Sequence, residues 1–176
     1  MSLFKKLFKR KKMLNIGTHV QKTAKVDKYS KVGKYCYIGD YTFVTRATIG
    51  NYCSIANFVT IGPGEHNLNN ISTNTLFEES ENIYEALTER ECIIGNDVWI
   101  GVGAIIRRGV KIGNGAVIGA NSFVNQDVPD FAIVAGSPAR ILRFRFSEGV
   151  CNKISKSQWW NKDLDEAKEI MKKFKN

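Results

Sequence analysis

Histidine is scarce in this chain, with only His19 and His66 among 176 residues. A zinc hydratase needs three imidazoles at each site, so two in total argue against one, even with ligands shared between subunits. No metal is therefore expected. Cysteine is also sparse. The four Cys lack the paired spacing of a metal or disulfide framework, which points to a reducing compartment. No secretory signal is recognisable, so the expected location is the cytoplasm. No Ser or Cys stands in a recognisable nucleophile constellation. Basic residues form no stripe along the middle of the chain, so nucleic acid is not an expected partner.

What the sequence has in excess is a beat. Ile94, Ile100, Ile106, Ile112, Ile118 and Val124 recur at a spacing of six without a break. Val20, Val26, Val32, Ile38 and Val44 keep the same step, one residue is dropped, and Ile49, Ile55 and Ile61 continue it. Four residues after most of these comes a small or β-branched partner: Ala24, Ser30, Cys36, Thr42, Cys53, Val59, Val98, Ala104, Val110, Ala116 and Ser122. Helices repeat at 3.6 and plain strands at two, and neither matches. A period of six suits a solenoid in which a short strand and a tight turn repeat on successive faces of a prism. The fold class predicted is an all-β solenoid. With three hexads to a coil, the fourteen hexads predict four to five coils stacked about 4.8 Å apart. Cys36 and Cys53 then fall on one corner of adjacent coils, with Cα atoms about 5 Å apart. They are expected as free, packed thiols.

Three segments depart from the beat. Residues 1–14 form a basic amphipathic arm; its first twelve residues hold six cations and no acid, out of a formal net charge of +9. The i,i+4 pairs Leu3/Leu7 and Phe4/Phe8 allow a short surface helix, so loose contact of residues 1–12 with an anionic membrane is one reading and a solubilising arm the other. Residues 62–93 leave the column as one long loop, with a helix expected over 76–89 and Phe77 and Tyr84 as anchors. Loops of this length in compact domains are often functional, and this one carries His66 directly after "GPGE". Residues 141–176 read as a helical tail, broken near Trp160 and packed on the base of the column. The repeats themselves span 15–140. Trp99, Trp159 and Trp160 are read as packing residues and His19 as a surface residue.

The segments "IGNYCSIANFVTIGPGEH", "IST" at 71–73, "IGNDVWIG", "GVKIGNGAVIGANSFV", "DVPDFAIVAGSPAR", "RFRFSEGV" and "WW" at 159–160 carry a resemblance. The chain resembles the hexapeptide-repeat acyltransferases, and among them the xenobiotic acetyltransferase family, which includes chloramphenicol and streptogramin acetyltransferases and sugar or polysaccharide O-acetyltransferases. The resemblance implies a left-handed parallel β-helix, a homotrimer with active sites between subunits, and acetyl-CoA as co-substrate. It implies His66 as general base. It also implies acetyl-CoA contacts at Val102, Ala120, Asn125 and Gln126, with Arg140 and Arg143 at the nucleotide phosphates. The family often has Thr-Lys where this chain has Asn125-Gln126, which removes one cation. The expected reaction is direct O-acetylation of a sugar hydroxyl on a glycan or polysaccharide precursor. The alternatives are O-acetylation of an antibiotic and N-acetylation of an amino sugar.

Overall fold

Most hexads form a two-residue strand whose second residue faces inward. In Tyr37–Ile38, Phe43–Val44, Trp99–Ile100 and Ile105–Ile106 the first side chain is exposed and the second buried. Strand sides alternate, so one aliphatic residue per hexad is enough to line the interior. The computed structural model describes residues 15–174. The basic arm, with its expected membrane contact, lies outside the described residues.

The strands make a left-handed parallel β-helix of about six turns with three faces. The first face stacks His19–Val20, Tyr37–Ile38, Ser54–Ile55, Trp99–Ile100, Val117–Ile118 and Ala132–Gly136. The second stacks Lys25–Val26, Phe43–Val44, Thr60–Ile61, Ile105–Ile106 and Phe123–Val124. The third stacks Lys31–Val32, Ala47–Ile49, Cys92–Ile94 and Lys111–Ile112. Parallel crossovers of this hand oppose the usual rule. Inside, Ile38, Ile55, Ile61, Ile100, Ile106 and Ile118 are fully buried; burial of each such side chain contributes about 1.5–3 kcal/mol.

The corners hold the strained backbone. Tyr35, Tyr52, Asp97, Gly115 and Phe131 have positive φ at the corner between the third and first faces. A left-handed conformation costs a residue with a Cβ roughly 1 kcal/mol or more. Stacking offsets it: the Tyr35 and Tyr52 rings lie 4.8 Å apart. An amide ladder ties the same corner, with the Lys34, Asn51 and Asn96 N–H groups donating to Asn51 Oδ1, Asn96 Oδ1 and Asn114 Oδ1 at 2.8, 2.8 and 2.9 Å. Cys36 and Cys53 sit side by side on adjacent coils in the Tyr37↔Ser54 register, both free and buried. Their mutual hydrogen bond and burial raise the Cys53 thiol well above its ordinary pKa.

Three differences from the sequence expectations have physical causes. The column is taller than four to five coils, because Val117–Ile118 pairs with Ile133–Val134 and Ile112 bridges to Val128. The step from Val124 to Val128 is four residues instead of six, and from there Val128 and Val134, six apart and both buried, carry the inward row to a further level. Next, a boundary at 141 falls inside the strand Ala139–Phe144, which returns antiparallel along Ala132–Gly136. The helices begin only at Glu148. Last, the tail lies along a corner instead of under the base. The buried Trp159 meets Tyr52 at 5.0 Å between ring centroids, the buried Trp160 carbonyl accepts from Asn51 Nδ2 at 3.0 Å, and the Lys162 carbonyl accepts from the Tyr52 hydroxyl at 2.9 Å. Trp99, read as a packing residue, is 56 % exposed on the first face.

Trp160 and Phe77 provide a test of this packing. Trp160→Ala should cost about 3–5 kcal/mol in urea unfolding. Phe77→Ala, at an exposed site, should stay within about 0.5 kcal/mol. Similar losses from both would contradict the assignment of the corner as the tail's seat.

Candidate active site

The loop leaves the corner between the second and third faces after Thr60–Ile61 and re-enters at Cys92–Ile94. Its exit requires glycine. Gly62 has φ +63°, and a Cβ there would stand 2.7 Å from the Thr45 carbonyl oxygen. Two short helices form within the loop, Thr75–Phe77 and Ile83–Leu87. They replace the single helix expected over 76–89, and Asn74 and Asn82 side chains cap them. Phe77 is not an anchor, since it is exposed. Tyr84 is one. Its hydroxyl donates to Asp27 Oδ2, a carboxylate that is 2 % exposed and also takes the Ser30 and Arg46 N–H groups. The Tyr84 ring stacks on Tyr29 at 5.6 Å. Burial, then the Asp27 contact and charge, push the Tyr84 phenol well above its ordinary pKa.

His66 borders an open cleft of about 530 Å³ formed by Glu65, Asn67, Leu87, Glu89 and Arg90 among others. Its Nδ1 lies 2.6 Å from the Thr73 carbonyl oxygen. A carbonyl can only accept, so Nδ1 carries the proton and a neutral ring keeps its lone pair on Nε2. An imidazole so held can take a proton from a hydroxyl. Beside it, Glu65 is gripped at both oxygens, Oε1 by Arg107 Nε and Oε2 by Arg90 Nη2, each at 2.6 Å. Burial pushes the Glu65 carboxyl up, but the Arg107 and Arg90 guanidiniums outweigh it and hold the group below its ordinary pKa.

Arg108 is 2 % exposed and fixes the roots of the loop. Its guanidinium donates to the Pro63 carbonyl (3.3 Å), the Arg90 carbonyl (3.1 Å), the Arg46 carbonyl (3.3 Å), Thr45 Oγ1 (2.9 Å) and the Gly62 carbonyl. Sequence reasoning missed Glu65, Arg107 and Arg108. The available signal was "IIRRGV", two adjacent cations in an otherwise aliphatic stretch of hexads.

The other candidate residues lie elsewhere. Asn125 and Gln126 follow Phe123–Val124 and share the loop's corner. The buried Oδ1 of Asn125 has no hydrogen-bond partner among the described residues. Val102 and Ala120 lie at the corner between the first and second faces, one coil apart, where the Asn121 N–H donates to the Val102 carbonyl at 2.8 Å. Arg140 and Arg143 lie exposed on the return strand beside the first face, and the guanidinium of each donates to a carbonyl of its own strand. A single column thus brings His66 to the corner of Asn125–Gln126 but keeps it one face away from Val102 and Ala120. Among the described residues no three His, Cys, Asp or Glu side chains cluster as a metal site, and no helix is long and apolar enough to cross a membrane.

The bacterial transferase hexapeptide family (six repeats) matches residues 91–126. Residues 91–126 are hexapeptide repeats of this kind. The chain is 50 % identical over 78 residues to a chloramphenicol acetyltransferase of Morganella morganii, covering 44 % of this chain and 37 % of that one. It thus spans well under two thirds of that curated relative's length. Its fold is similar to a hexapeptide-repeat acetyltransferase of Vibrio cholerae O1 biovar eltor solved with acetyl coenzyme A, with TM-score 0.59, 29 % identity, and 75 % and 73 % of the two chains covered. A maltose O-acetyltransferase of Clostridium difficile 630 gives TM-score 0.59, 25 % identity, and 74 % and 67 % coverage.

The ion pairs of Glu65 generate a pH prediction. A carboxylate whose folded pKa is depressed stabilises the fold above its unfolded value, and that contribution disappears as pH falls through the folded value. The thermal midpoint of wild type should exceed that of Glu65→Gln above pH 4.5. In calorimetric scans the gap should close as the pH falls further. A gap of constant size from pH 7 to pH 3 would contradict the pairing.

Proposed function

We propose that this protein is an acetyl-CoA-dependent O-acetyltransferase in which His66 is the general base and transfer to the acceptor is direct. The observation that carries the reading is the Nδ1–H donation of His66 to the Thr73 carbonyl, which leaves Nε2 as the basic atom at the mouth of the cleft. Nε2 takes the proton of an acceptor hydroxyl while its oxygen attacks the thioester carbonyl carbon. The tetrahedral oxyanion then collapses, the carbon–sulfur bond breaks, and the imidazolium returns its proton to the departing CoA thiolate. The Thr73 carbonyl stabilises the imidazolium between these steps, and general base catalysis of this kind contributes roughly 10²–10⁴-fold.

Acetyl-CoA is the co-substrate on this reading. Its thin amide-bearing arm suits the small corner residues Val102 and Ala120, the orphaned Asn125 Oδ1 suits an N–H donor, and the exposed guanidiniums of Arg140 and Arg143 suit the phosphates. Gln126 stands beside Asn125 at the same contact. Since His66 and Val102–Ala120 belong to different corners, the site is completed between columns, in a homotrimer. The acceptor proposed is a sugar hydroxyl on a glycan or polysaccharide precursor. Likeness to a maltose O-acetyltransferase supports it. O-acetylation of an antibiotic is the second reading, favoured by the 50 % identity with a chloramphenicol acetyltransferase.

Thiol release from acetyl-CoA with a panel of hydroxyl acceptors tests both. His66→Ala should lower kcat about 10²–10⁴-fold with an unchanged circular dichroism spectrum; near-full turnover at pH 7 would remove His66 from the role. Arg140→Ala and Arg143→Ala should raise KM for acetyl-CoA, most at low ionic strength, and spare the acceptor KM. Unchanged acetyl-CoA saturation curves would exclude the phosphate contact.

A further inference from the structure

Arg108 is a buried cation with no carboxylate on its guanidinium among the described residues. Its partners are four backbone carbonyls and one hydroxyl. Those acceptors come from three separate passages of the chain: Thr45 and Arg46 on the coil below, Gly62 and Pro63 where the loop leaves, and Arg90 where it returns. A guanidinium has five N–H groups in a rigid fork, and this is the one side chain that can serve so many convergent acceptors at once. A Lys ammonium has three donors at a single point. Burial lowers the Arg108 pKa, a penalty a merely apolar corner residue would not incur.

The hub is connected to the candidate base through a short path. Pro63 is three residues before His66, and a Cβ at Gly64 would be in ordinary contact with Leu87 on the far limb of the loop. Glu65, next to His66, is held by Arg90, whose own carbonyl Arg108 holds. The direction of the chain at Gly62–Pro63 therefore sets where the His66 ring stands relative to the Thr73 carbonyl.

We infer that Arg108 is a positioning residue for His66, tying the two roots of the loop so that the imidazole is presented with its proton on Nδ1 and its lone pair on Nε2. This rests on His66 being the general base. It predicts a specific defect, in the tautomer and in kcat, instead of general loss of the fold.

With two His in the chain, imidazole nitrogen NMR on the full-length protein reads the effect directly, and His19, in the first coil and two coils before the one the loop leaves, is an internal control. In mildly alkaline buffer wild type should show the Nδ1–H form of His66. In Arg108→Lys and Arg108→Gln the Nε2–H form should become populated while His19 is unchanged. In the same variants kcat for thiol release should fall roughly 10–100-fold, the cost of a small misplacement, with KM for acetyl-CoA unchanged. Gly62→Ala, whose Cβ would lie 3.1 Å from Arg108 Cζ, should show the same signature with Arg108 present. Folded variants with wild-type tautomer and kcat would overturn the inference. So would collapse of the column with His19 perturbed as well, which would assign Arg108 to folding alone. If wild type releases no thiol with any acceptor, the acetyl-transfer reading fails, and the tautomer measurement still decides whether Arg108 orients His66.

Discussion

Every feature of the molecule depends on one constraint, the hydrogen-bonded register of coil on coil. Tyr37 N–H donates to the Cys53 carbonyl at 2.9 Å and Trp99 N–H to the Ala116 carbonyl at 3.0 Å, and bonds of this kind recur along all three faces. A slip by one residue would turn the inward Ile and Val outward on every level. The register therefore selects the core, and the core in turn holds the register. It absorbs the dropped residue after Val44, where Val32 pairs with Ile49, and it resumes across the whole excursion, where Ile55 pairs with Ile100.

Because the column closes beneath and above the loop, the loop can be polar without weakening the core. Its supports are ionic and carbonyl contacts concentrated at one corner: Asp27 with Tyr84, Glu65 between Arg90 and Arg107, and Arg108 among the carbonyls. Buried polar groups stabilise only when they are satisfied, and the buried Asp27 carboxylate and Arg108 guanidinium are. That arrangement places the His66 imidazole on an irregular segment while keeping its neighbours fixed, as the proposed general base requires.

The legible part of the fold was the part with local periodicity. Ile94 to Val124 announce the coil because each hexad repeats one inward residue, and Cys36 and Cys53 could be set side by side by counting alone. The sixth level was hidden because the step from Val124 to Val128 is four residues instead of six, so the count stopped there although Val128 and Val134 keep the inward row. The return strand Ala139–Phe144 was missed for a related reason, since Ile141, Leu142 and Phe144 lie exposed on an edge and follow no inward rule. The tail's seat against Tyr52 was unreadable, because nothing local links Trp159 to a corner a hundred residues earlier. At the candidate site, His66 stood out through scarcity and through its loop. Glu65, Arg107 and Arg108 did not, because their partners come together only in three dimensions.

The central claim is that His66 of one column works with the Val102–Ala120 corner of another. Mixed assemblies test it most directly. His66→Ala removes the base, Ala120→Trp blocks the corner, and each alone should be inactive. Co-expressed with different tags and purified as mixed assemblies, the pair should regain activity, with about a quarter of sites receiving an intact loop and an intact corner under random mixing. Mixed assemblies as inactive as either parent would contradict a site built between columns.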